Sequence, residues 1–132
     1  MFLTKILRPL NSYRINMRYL NSSTQKNYTE TMEWWINLPN GNSRIGLSQE
    51  AVEKLSDLVY IEFDNIDFNK IYLENSPICE IESVKAVENI YSPFDCKIIS
   101  YNKELEDDLD IINSDPENDN NWILEIKIEE KI

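Results

Sequence analysis

From position 34 onward, hydrophobic and polar residues alternate in short bursts separated by turn-forming residues, a pattern that predicts strands. The first burst covers residues 34–38 and is closed by Pro39-Asn40-Gly41; a second covers 44–47. Ser48 is placed to cap a short helix over 49–55, with Glu50 in its first turn and Ala51, Val52 and Leu55 on one face. Residues 58–63 predict a strand with Val59, Ile61 and Phe63 on one face and Tyr60 and Glu62 on the other. Residues 78–84 predict another, with Cys79 and Ile81 on one side and Glu80 and Glu82 on the other. Further strands fall at 90–91 and 97–101, around Ser92-Pro93. Asn102 caps a short acidic helix that turns Leu105 and Leu109 inward, and 115–121 is a polar loop. The last strand, 122–128, puts Trp122, Leu124, Ile126 and Ile128 on one face. Many short strands with small helices between them predict a mostly β domain, a barrel or sandwich.

Composition narrows the function classes. Of 132 residues, 42% are hydrophobic, enough for one modest core. No run approaches the ~20 apolar residues of a membrane helix, so a membrane span is not expected. Thirteen basic against 24 acidic residues give a net charge of −11, which argues against a broad electrostatic grip on nucleic acid. The chain has no histidine, which removes Ser-His-Asp and Cys-His nucleophile systems and histidine-ligated zinc. Only Gly41 and Gly46 are present, so no glycine-rich phosphate loop is available. Cys79 and Cys96 read as buried small hydrophobes rather than a disulfide framework. Asp107, Asp108 and Asp110 read as a solvated helix face rather than a cation site.

The charge is unevenly placed. Residues 1–29 hold Lys5, Arg8, Arg14, Arg18 and Lys26 and no acid, so the remainder carries eight basic and 24 acidic residues. A basic, Ser- and Asn-rich start with scattered apolar residues predicts an organelle transit peptide over 1–26, leaving a mature domain over 27–132. The expected compartment is the mitochondrial matrix.

The segment that carries chemistry is Glu82-Ser83-Val84-Lys85-Ala86, between two predicted strands. A lysine at a hairpin tip is a protruding amine, suited to covalent modification by an enzyme rather than to catalysis of its own. This run, with Ser92-Pro93 after it, resembles the lipoyl-attachment hairpin of the glycine cleavage system H protein family. The resemblance covers most of the mature chain. Tyr28-Thr29-Glu30 and Glu33-Trp34 resemble the family's opening, with Met32 in its histidine position. Ile45-Gly46-Leu47, residues 55–62, Asn102 to Asp107, and Ile112 to Pro116 followed by Trp122-Ile123 supply the other matches in order. Val84 beside Lys85 is similar to the H-protein form rather than to acyltransferase or biotin domains.

The resemblance implies a lipoyl/biotinyl-like barrel-sandwich hybrid with short flanking helices. It implies a non-catalytic carrier with lipoate in amide linkage to Lys85, and Glu82, Ser83, Val84 and Ala86 as the residues the lipoylating enzyme recognises. The implied partners are a pyridoxal-phosphate glycine decarboxylase, a tetrahydrofolate aminomethyltransferase, dihydrolipoamide dehydrogenase, and a lipoate ligase or lipoyl/octanoyl transferase. The carrier is expected to be a monomer. Two other readings are a lipoyl relay serving other proteins and a diverged, unlipoylated interaction module. Family glycines fall at Ser56, Cys79, Cys96 and Asn121, where a positive φ would strain Ser or Cys.

Overall fold

The computed structural model describes residues 25–130. The strands are β1 (Asn27–Tyr28), β2 (Glu33–Asn37), β3 (Ser43–Leu47), β4 (Leu58–Ile61), β5 (Pro77–Ser83), β6 (Val87–Tyr91), β7 (Cys96–Tyr101) and β8 (Leu124–Ile128). Helix α1 (Gln49–Leu55) follows β3, and α2 (Asp110–Ser114) lies between two short 3-10 turns, Lys103–Glu106 and Asp119–Asn121. Two antiparallel sheets result, one in the order β1-β2-β3-β8-β7 and one in the order β4-β5-β6. Both line one core: Ile45, Leu124, Ile126 and Ile98 come from the first sheet and Ile61, Ile81 and Ile90 from the second. The expected mostly β architecture with short helices is what forms. Of the expected leader, residues 1–24 lie outside the described residues. Lys26 is described: its amine pairs with Asp119 and lies 4.6 Å over the Trp34 ring.

Local chemistry explains the elements. Ser48 Oγ accepts the Ala51 N–H (3.2 Å), which starts α1, and Ala51 and Val52 are buried beneath it. The Asn102 side chain accepts the Glu104 N–H and so starts the 3-10 turn that buries Leu105. Trp34 is fully buried and donates from Nε1 to the Pro116 carbonyl (2.9 Å). Its ring lies against Gly46 on β3, where a Cβ would stand 2.3 Å from ring carbons. Only glycine permits that approach.

Some expectations are corrected. Val59 is exposed while Ile61 and Phe63 are buried, so the three do not share one face: the β4–β5 register shifts between Leu58 and Tyr60, and this bulge breaks the alternation. Ile128 is also exposed, since it lies at the far end of β8, whereas Ile123, just before that strand, is fully buried. Leu55 and Leu109 are half-buried, and the 115–121 loop contains a 3-10 turn. Positive φ angles among the described non-glycine residues occur at Met32 (74°), Ser56 (64°) and Asn75 (67°). Of Ser56, Cys79 and Cys96, where a positive φ would bring strain, only Ser56 has one. Cys79 and Cys96 lie within strands and Asn121 in a 3-10 turn, without a left-handed backbone.

Candidate functional site

The β5–β6 hairpin is built around Ser83. Its N–H donates to the Ala86 carbonyl (2.9 Å), and its Oγ accepts the N–H groups of Lys85 and Ala86 (3.1 Å each). The serine thus closes the turn in which Lys85 sits. At the same tip, Val84 N–H donates to the Asp57 carbonyl (3.0 Å), tying the turn to the junction of α1 and β4. Val84, Lys85 and Ala86 are all exposed. Lys85 forms no salt bridge among the described residues, so its amine is open to a modifying enzyme.

Glu82 projects from β5 opposite Tyr60 on β4 and Val87 on β6, all three exposed. The Tyr60 hydroxyl is held above the ordinary tyrosine range, chiefly by Glu62 and also by Asp64, Glu82 and Glu106. Glu82 therefore belongs to an acidic surface that carries the exposed apolar groups Val59, Tyr60, Val84 and Val87. The five residues predicted for the site are all brought together in one hairpin. Ser83 has a structural part that its sequence position did not announce.

A cleft of about 470 Å³ opens beside the turn. Met32, Leu47, Ala51, Leu55 and Ile81 give it apolar walls, and Lys85, Lys54, Glu30 and Glu88 stand among its polar lining. Met32 enters it from a left-handed backbone, with its N–H donating to the Thr29 carbonyl. Sequence reasoning did not find this cleft, because its walls come from strands and a helix far apart in the chain. Nearby, Glu33 is a buried carboxylate. It accepts the hydroxyls of Thr29 and Thr31 (2.5 Å each) and the Tyr91 N–H (2.9 Å), and so joins β2 to the end of the hairpin strand β6.

Other chemistry is scarce. Among the described residues no group of three or more His, Cys, Asp or Glu is arranged to hold a metal ion. Both cysteines are free and buried, one in each sheet. Burial pushes the Cys79 thiol up to about 12 and also raises Cys96, with the Ser92 hydrogen bond opposing in part. Neither thiol is an activated nucleophile.

Comparison with known proteins shows the family and the fold. Residues 26–132 match the family model described as glycine cleavage H-protein. A probable glycine cleavage system H protein of Thermococcus kodakarensis is 38% identical over 100 residues, covering 76% of this chain and 72% of that protein. A probable mitochondrial glycine cleavage system H protein of Dictyostelium discoideum is 37% identical over 100 residues, covering 76% and 66%. The crystal structure of a glycine cleavage system H protein from Mycobacterium marinum superposes with a TM-score of 0.68 at 26% identity, covering 80% of this chain and 87% of that one. The two-sheet architecture is thus the lipoyl-type barrel-sandwich fold.

Proposed function

Because this chain belongs to the glycine cleavage H-protein family, we propose that it is a lipoyl carrier whose attachment point is Lys85. The observation that carries the reading is the turn itself: a lysine at an exposed tip, its backbone locked by Ser83 and its amine unpaired among the described residues. The residues present fit the group. The amide forms between Lys85 Nζ and an activated lipoyl carboxyl, the amine losing a proton and the activating group departing. When bound, lipoate supplies a disulfide–dithiol couple on a long arm that takes up and gives up the aminomethyl fragment of glycine.

The chain's own residues present that arm. Ser83 holds the Lys85 backbone, Val84 and Ala86 leave its flanks uncluttered, and Glu82 offers a carboxylate three residues before the lysine for the lipoylating enzyme to read. Amide formation removes the lysine charge, so the arm loses any attraction to the surrounding carboxylates. Leu47, Leu55 and Ile81 give an apolar wall beside the attachment point. The carrier visits, in this reading, the glycine decarboxylase, the aminomethyltransferase and dihydrolipoamide dehydrogenase in turn. The basic, acid-free segment 1–29 supports delivery to the mitochondrial matrix.

Intact mass and peptide mapping of the protein from its native source test the assignment. A lipoyl increment on the peptide containing Lys85, lost in Lys85→Arg with an unchanged far-UV circular dichroism spectrum, is the expected result. Modified Lys85→Arg protein would refute the site. An unmodified wild-type chain, in an extract where other proteins are lipoylated, would favour the diverged interaction module.

A further inference from the structure

The Lys85 turn is braced from a distance. Strand β4 is an edge of the three-stranded sheet, and its first residue, Leu58, is opposite Ser83 of β5. The Leu58 N–H and C=O point away from β5, where no strand continues the sheet. The Asn113 carboxamide meets both: Oδ1 accepts the Leu58 N–H (2.8 Å) and Nδ2 donates to the Leu58 C=O (3.2 Å). One side chain thus takes the place of a missing strand.

The peptide unit between Asp57 and Leu58 is held at both ends. Its N–H goes to Asn113, and its C=O accepts the Val84 N–H (3.0 Å). The hydrogen-bonded line therefore runs from Asn113, through one peptide plane, to the residue before Lys85, whose own N–H is held by Ser83 Oγ. Hydrogen bonds in such a line polarise and strengthen one another. Just upstream, Ser56 has φ 64° and ψ −157°, a region occupied almost only by glycine. Local backbone preference does not hold this junction in place; contacts from outside do, and Asn113 and Val84 make two of them. The anchor is itself set by the core. Helix α2 has five residues and no side-chain N-cap bond, too short to be stable alone, but Ile112 is fully buried and Asn121 donates to the carbonyls of Ile111 (3.1 Å) and Asp115 (2.8 Å).

We infer that Asn113 is a positioning residue for lipoylation: through the Asp57–Leu58 peptide and Val84 it fixes where the turn presents the Lys85 amine. This rests on the carrier reading above. The test uses the full-length unmodified protein, a lipoate ligase preloaded with lipoyl-adenylate, and the variants Asn113→Leu and Asn121→Ala. The second loosens the same helix without touching Leu58. Asn113→Leu should lower the maximal transfer rate roughly tenfold or more, within the about hundredfold that a 1 Å misplacement of reacting groups costs. Its half-saturating concentration should stay within about twofold, because the rest of the hairpin surface is intact. Amide hydrogen exchange at Val84 should quicken selectively relative to β8 amides. Asn121→Ala should lower Tm yet leave both readings near wild type. Asn113→Ala serves in the same comparison if the leucine variant does not fold.

Exchange that quickens equally in β8 and the hairpin, or a transfer rate no lower than that of Asn121→Ala, would overturn the positioning role. Failure of wild-type protein to accept lipoate at Lys85, with a ligase active on another acceptor, would sink the carrier reading instead. The Val84 exchange comparison would still decide the brace.

Discussion

Ser56 and Cys79 both stand where the resemblance implies a glycine, yet they differ in consequence. Ser56 occupies a backbone region that costs a residue with a Cβ on the order of 1–3 kcal/mol, while glycine loses about 0.5–1 kcal/mol of extra chain entropy on folding. Ser56→Gly should therefore stabilise the domain by about 1 kcal/mol, seen as a higher urea midpoint at unchanged slope; an equal or lower midpoint would show the strain to be relieved elsewhere. Cys79 lies in β5 without such strain, and its cost is electrostatic. Burial lifts its pKa from 9.0 to about 12, so the folded protein keeps the thiol neutral while the unfolded chain ionises above about pH 9. Its contribution is complete below pH 9 and is lost as pH rises toward 12, by up to about 1.4 kcal/mol per pH unit. Urea titrations at pH 8 and 10.5 should show a smaller decline for Cys79→Ala than for wild type. Tyr28 and Tyr101 are raised by their hydrogen bonds to Glu117 and Glu106 and act with the same sign at higher pH, so the difference between the two proteins carries the test.

At the scale of elements, strands β2 and β3 depend on one close approach. Gly46→Ala would drive a Cβ into the Trp34 ring, which is fully buried and bonded to Pro116. Overpacking of this kind costs about 1–3 kcal/mol or more, and the Tm should fall by several degrees. An unchanged Tm would mean that the ring has room to move. The same elements show what the sequence made legible. Helix α1 was readable to the residue, because its cap and its apolar face are both local signals. The β5–β6 hairpin was readable too, since the alternation of 78–84 and the turn residues after it are local signals. Strand β4 was misread at Val59, because a bulge is decided by pairing with β5 and leaves no mark on the alternation. Ile123 and Ile128 exchanged roles because the end of a strand is set by its neighbours in the sheet. The cleft beside Lys85 and the Asn113 brace were invisible for the same reason: each is assembled from segments that meet only after folding.

At the scale of the molecule, charge dominates. The chain carries −11 overall, and the acid lies entirely beyond residue 29. Carboxylates gather around Tyr60 and Glu82 beside the Lys85 turn. Such a surface would steer a basic partner toward the hairpin, and its field is screened over about 8–10 Å at physiological salt. If the carrier reading proposed above holds, the association rate with a glycine decarboxylase should fall steeply as salt rises from 10 to about 150 mM; a flat dependence would remove the steering role. Finally, the order of strands has a consequence in time. Strand β8, well after β3 in the chain, lies inside its sheet between β3 and β7 and brings Leu124 and Ile126 to the core. A chain emerging N-terminus first at ~5–20 residues per second thus spends several seconds with β2 and β3 made and β3's second partner unborn. Until residues 124–128 appear the domain has no closed interior, and the chain stays threadable until β8 has emerged.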